Sequence, residues 1–281
     1  MIFLALAIAC SSSIALIFRF SEAADRNRLA VTSVNYLAAC VVGSLLIVAG
    51  GIPDGAERGE LGRAVAMGAG AGSIFFLGFL FLQIAVREHG VAISGAFAKL
   101  GILVPMSLSL VIWDEIPEPI QWGGIALALS SIVIVHWPGA GRKSFGLSLL
   151  GLFLFSGTAE FSNKVFQQLG DVALRDVFLL STFSVALLVS LVATRRSRKP
   201  VRTADVLTGI AVGVPNFFSS RFLILALDQI SGPVAFAAFG AGTILVIHTV
   251  AALLGDRPGR REQIAIVATA VALVLMNLGT S

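Results

Sequence analysis

Seven polar side chains interrupt apolar sequence in this chain and could do chemistry there. They are Lys99 in "AFAKLGILVPM", Glu160, Asn163 and Lys164 in "GTAEFSNKVFQQ", Asn216 and Arg221 in "PNFFSSRFLILALDQ", and His248 in "ILVIHTV". Ammonium, carboxylate, guanidinium, amide and imidazole groups set among hydrocarbon side chains can bind a polar solute, hold one another, or pass a proton. Covalent chemistry has less support. No GxSxG, HExxH or Walker sequence is present, and His248 has no evident serine partner. Cys10 and Cys40 lie apart inside apolar runs, so neither a disulfide nor a metal site is expected, and no cofactor is implied.

Each of the seven has a bland alternative. Lys99 is the tenth residue of its apolar run, about 14 Å deep at 1.5 Å per residue. It faces a wet cavity as a cation for a carboxylate, phosphate or carbonyl, it pairs with Glu160, it is neutral if buried dry, or the limits of the run lie elsewhere. Glu160 and Lys164 are four apart and share a helix face, the acid on the N-terminal side. They form an internal ion pair, or Glu160 faces Lys99 and binds solute or a coupling proton. Arg221 either snorkels or contacts solute. Asn216 follows Pro215, whose missing N–H frees a carbonyl near Ala211 and suggests a kink or hinge. His248 reads as a core histidine bonded across helices or as a ligand. Gln83, Asn35 and Tyr36 are weaker candidates of the same kind.

The elements that carry these residues are set by composition. The 281-residue chain is 57% hydrophobic and 13% charged, with a mean hydropathy of +0.93. Soluble domains carry about a quarter charged residues, so an all-α integral membrane protein is expected. Apolar runs at 1–20, 29–49, 62–85, 90–111, 120–137, 146–168, 174–194, 204–227, 232–254 and 262–279 are each long enough to cross a bilayer. The first has no basic leader before it and reads as a span rather than a cleaved signal. No loop between the runs is long enough for a soluble domain.

The chain also repeats itself. At an offset of 141, "FLQIAVREHGVAISGAFAKLG" (81–101) lies over "FLILALDQISGPVAFAAFGAG" (222–242), and "WDEIPEPIQ" over "LGDRPGRRE". Glu115 falls on Asp256, Pro117 on Pro258, Gly68 and Gly72 on Gly209 and Gly213, and Lys99 on Gly240. The first two runs of each half align at 145, with Arg19 over Lys164. Two repeats are expected, 1–141 and 142–281, each of five helices. An odd number inverts the second copy, which is the architecture of alternating-access carriers with a midplane site. Gly240 opposite Lys99 would then offer space where the other half offers charge. The paired glycines read as helix-packing contacts.

The stretch "SGAFAKLGILVPMSLSLVIWDEIPEPIQWGGIALALSSIVIV" resembles helices four and five of the drug/metabolite transporter superfamily, EamA-like ten-helix branch, through Pro105, Glu115 and Gly123–Gly124. The second half follows it more loosely, with Asp256 as the acid and Val246 in place of the proline. The resemblance implies a ten-helix, basket-like carrier of small metabolites with a central cavity, and it leaves the substrate open.

Orientation follows from charge. Arg19, Arg26, Arg28, Arg87, Arg142, Lys143, Arg195, Arg196, Arg198, Lys199, Arg202, Arg257, Arg260 and Arg261 fall on one side, and Arg58, Arg63 and Arg175 on the other. The positive-inside rule makes the first side cytoplasmic and both termini external; the resemblance suggests cytoplasmic termini. Basic residues clustered in loops argue for membrane orientation rather than nucleic-acid binding. The expectation is a secondary carrier in a bacterial inner membrane, with a small polar or amphipathic solute, membrane lipids and optionally a coupling proton as partners. A lipid-linked solute flippase and a channel are the alternatives.

Overall fold

The structure, a computed structural model, describes residues 1–21, 27–53, 57–89, 91–136, 146–197, 199–255 and 259–278. Its elements are α1 (Ile2–Ser21), α2 (Arg28–Gly50), α3 (Arg58–His89), α4 (Val91–Leu100), α5 (Leu103–Trp113), α6 (Pro119–His136), α7 (Leu147–Leu169), α8 (Arg175–Ser197), α9 (Thr203–Leu227), α10 (Gly232–Leu253) and α11 (Arg260–Leu278), with a 3-10 turn at Val172–Leu174. Helix is the physical answer to these runs, because an apolar surrounding leaves each backbone group to be satisfied within its own segment. Local signals set the limits. The Asn27 side chain accepts the Ala30 N–H at the start of α2. α6 opens on Pro119, and α10 carries Pro233 in its first turn, where a missing N–H costs little.

Among the described residues, seven helical runs are long and apolar enough to cross a membrane, and Ile2–Phe18 and Pro119–Ile134 are shorter apolar helices. The fold is that of an α-helical membrane protein. α7 is the polar exception, for its C-terminal half carries Glu160, Asn163, Lys164, Gln167 and Gln168. Every expected run contains helix, but the fourth, expected as one span over 90–111, holds two. α9 runs unbroken past Pro215, so the interruption falls in α4–α5 rather than beside Asn216. Asp256, Pro258, Arg26, Arg142, Lys143, Arg198, Arg257 and the expected boundary at 141/142 lie outside the described residues.

The chain divides into two compact units. One comprises Met1–Leu4, Leu77–Lys164 and Ala226–Ser281; the other comprises Ala5–Phe76 and Val165–Leu225. Each draws on both halves of the sequence, so compactness does not follow the division into 1–141 and 142–281.

In the second unit α2 packs against α8. Ser33 Oγ meets Thr194 Oγ1 at 2.9 Å and Cys40 Sγ meets Ser184 Oγ at 3.6 Å, rising numbers against falling ones, so the two helices are antiparallel. Glycines allow further close approach. A Cβ at Gly68 would strike the Phe178 carbonyl and Ser181, and one at Gly72 the Thr182 carbonyl and Val185. At Gly209 it would strike the Val31 carbonyl and Val34, and at Gly213 the Asn35 carbonyl and Ala38. α3 is thereby seated on α8, and α9 on α2. Phe166, Phe178, Phe183 and Phe217 fill the core with Tyr36, and the Phe166 and Phe178 rings stack at 4.2 Å.

In the first unit α6 and α11 are the antiparallel pair. Gln121 Nε2 donates to the Met276 carbonyl (3.4 Å) and Thr269 Oγ1 to Ser131 Oγ (2.8 Å), with Gly124 against Ala272 and Met276. α10 lies against α5, α6 and α11 and is buried without a break from Gly232 to Ile244.

Candidate functional site

Pro105 explains the break between α4 and α5. It has no N–H for the Gly101 carbonyl, which instead accepts the Val104 N–H one residue early, at 2.9 Å. The Ile102 N–H likewise turns to Lys99 O (3.3 Å), and the Ala98 carbonyl accepts Ser156 Oγ from α7 at 3.4 Å. α7 presses closely here. A Cβ on Gly101 would strike Ser156 Oγ, and one on Gly157 would strike the Gly101 carbonyl and Val104. Glu160 lies one turn beyond Ser156, on the strip of α7 that faces the break.

Lys99 is the penultimate residue of α4, half-buried, and about 13 Å along the helix at 1.5 Å per residue. Its ammonium and the half-buried Glu160 carboxylate act on one another electrostatically. They do not touch: no ion pair joins the two among the described residues, and the side-chain hydrogen-bonding neighbour of Glu160 is Asn163. Asn163 sits one turn past Glu160 and is 0% exposed. It lies beside Glu160, yet neither its amide nitrogen nor its oxygen makes a hydrogen bond of good geometry. Buried amides nearly always find partners, so this one stands out.

Lys164 does not pair with Glu160. Its Nζ lies 2.5 Å from Glu115 Oε1, and the side chain is 1% exposed. Glu115 Oε2 accepts the Gly232 N–H at 2.5 Å, at the positive end of α10. The Trp113 ring lies 5.8 Å from the same ammonium. An i,i+4 spacing brings Glu160 and Lys164 onto one side of α7, but the shared N-terminus of α10 draws Glu115 in and gives Lys164 a better-held partner. This carboxylate–ammonium contact is a structural tie, and it removes Lys164 as a freely available cation.

Arg221 is also engaged. Its Nε and Nη2 reach the two Asp176 oxygens at 2.7 and 3.2 Å, a bidentate pair with Arg175 nearby. Asn216 Nδ2 donates to Asn35 Oδ1 at 3.1 Å. Both belong to the second unit. His248 is in the first, with Nδ1 2.9 Å from the Ile244 carbonyl and Nε2 3.9 Å from Glu262 Oε1, the arrangement of a helix-bound histidine. Gly240 is not open space: Ile132 and Ile102 stand 3.5 and 3.6 Å from where its Cβ would be.

Four of the seven candidates therefore gather around α4 and α7: Lys99 without a close partner among the described residues, Glu160 with Asn163 beside it, and Lys164 tied to Glu115. Sequence reasoning marked Glu115 only as a repeated loop acid, and passed over Asp176 and Ser156. Lys164 and Glu115 are 49 residues apart, with no spacing signal between them.

No family model matches the chain. An uncharacterised protein of Haemophilus influenzae is 25% identical over 183 residues, covering 63% of this chain and 62% of that protein, so the match spans less than two thirds of the relative's length. A protein of known crystal structure superposes with a TM-score of 0.74 over 99% of this chain and 96% of its own, at 16% identity. At that identity the likeness is one of fold alone.

Proposed function

We propose that the chain is a secondary carrier that moves a small polar or amphipathic solute by alternating access, using two inverted repeats of five spans. The observation that carries this reading is the Lys99–Glu160 arrangement. Two opposite charges stand unjoined in apolar surroundings, beside a helix that Pro105 breaks. Broken spans with ionisable groups beside them are how carriers expose polar atoms at half depth.

The mirrored packing supports the repeat. Adding 147 to Val31, Val34, Asn35 and Ala38 gives Phe178, Ser181, Thr182 and Val185, so each glycine pair meets the other half's second span in the same way. The same offset carries Arg28–Gly50 onto Arg175–Ser197, two residues more than the sequence alignment of 145. An offset of 141 carries Val91 onto Gly232 and Pro119 onto Arg260, the starts of α10 and α11. Antiparallel pairing of α2 with α8 and of α6 with α11 is what inversion requires. The basic face is assigned to the cytoplasm of a bacterial inner membrane on the charge count.

The test is a thermal-shift screen of purified protein against amino acids, sugars, nucleosides, organic acids and quaternary amines, followed by counterflow of any hit in proteoliposomes. Saturable counterflow is expected. Unsaturable flux would indicate a channel, and no binding in any class would remove the carrier reading.

A further inference from the structure

From the separation of Lys99 and Glu160 we infer that the solute is a zwitterion, its anionic group held by Lys99 and its cationic group by Glu160. The inference rests on the carrier reading and names the substrate class of the same site. An ammonium offers three donors and a carboxylate about four acceptor positions. Here the ammonium has no close partner among the described residues and the carboxylate has the Asn163 amide beside it, while the two charges still feel one another. Had the pair served only to neutralise itself, contact would have been the stable arrangement, as at Lys164 and Glu115 in the same unit, 2.5 Å apart. The contrast within one unit is the argument: one lysine–glutamate pair is closed and structural, the other is held open.

A gap between opposite charges selects by charge. A simple anion satisfies Lys99 and is repelled by Glu160; a simple cation meets the reverse. A solute with both charges compensates both groups and removes no net charge from the site. The Asn163 amide, fully buried beside Glu160 and without a hydrogen bond of good geometry, adds a neutral hydrogen-bonding group at that end. The carbonyl of Ala98 is taken by Ser156, so the helix break itself is partly satisfied and the open polar groups are those of the side chains.

The experiment is thermal stabilisation of the purified full chain by matched probes: leucine, serine, phenylalanine and γ-aminobutyrate, each beside its deaminated acid and its decarboxylated amine, with glucose and uridine as neutral probes. At least one zwitterion is expected to stabilise the wild-type protein at concentrations tenfold or more below those needed by either single-charge fragment. Lys99→Met should weaken that zwitterion by tenfold or more and shift the preference toward the amine; Glu160→Gln should shift it toward the acid. A single-charge or neutral probe that binds the wild type as well as any zwitterion would overturn the inference while leaving a carrier. If no probe of any class binds or exchanges, both the inference and the carrier reading fall. The wild-type preference order decides the matter even if a variant does not fold.

Discussion

Glu115 joins Lys164 through one carboxylate oxygen and the first amide of α10 through the other, so a single side chain ties α7 to the N-terminus of α10. Lys164 is among the largest fully buried side chains in the protein. Removing one member of such a pair leaves the other charge uncompensated, at a cost of about 3–5 kcal/mol. Glu115→Ala is therefore expected to lower the Tm sharply in detergent. The double variant Glu115→Ala, Lys164→Met should recover a large part of that loss. A double variant no better than Glu115→Ala would separate the two residues energetically.

The mirrored glycines yield a comparison that needs no substrate. Gly68→Ala and Gly209→Ala each push a methyl group at a backbone carbonyl, and each should destabilise by about 1–3 kcal/mol. Gly70→Ala, with nothing within 4 Å of its Cβ, should be neutral or slightly stabilising. Thermal unfolding of the three variants side by side checks this. Equal tolerance at all three positions would mean that these helices do not approach so closely.

Pro105→Ala restores an N–H for the Gly101 carbonyl and allows α4 and α5 to run as one helix. Pro105 stands in the first turn of α5, where its missing N–H costs little, so the variant should be at least as stable as the wild type. Counterflow should nevertheless slow severalfold, because the interruption beside Lys99 is lost. Unchanged flux with raised stability would make the break incidental to transport.

Arg221 and Asp176 form a bidentate pair that meets its own needs. The double variant Arg221→Gln, Asp176→Asn should retain counterflow within about threefold of the wild type, an expectation that follows from a neutral pair replacing a neutralised one. Loss of transport in this variant, with its Tm preserved, would return Arg221 to the solute site.

Much of the fold is legible in the sequence because hydrocarbon thickness fixes the length of each run and glycine spacing marks the contacts. The break at Gly101–Ile102 is less so. Pro105 and Pro215 look alike as proline in a helical run, yet α9 passes Pro215 intact while α4 ends five residues before Pro105. What differs is α7, whose Ser156 and Gly157 offer the freed backbone groups of residues 98–101 a partner and room. Partner choice among charges was least legible. Glu160 is the nearest acid to Lys164 along the helix, but the helix N-terminus that recruits Glu115 comes from Gly232, far away in the chain. Lys99 stands out in the sequence as an ammonium inside an apolar run; its separation from Glu160 is a matter of three-dimensional spacing alone.

The most direct test of the account is counterflow of the screened solute by Lys99→Met in proteoliposomes, matched to the wild type for reconstituted protein and for Tm. A loss of tenfold or more, with the fold intact, is expected if the unjoined ammonium on α4 holds the solute. Uptake within twofold of the wild type would contradict it.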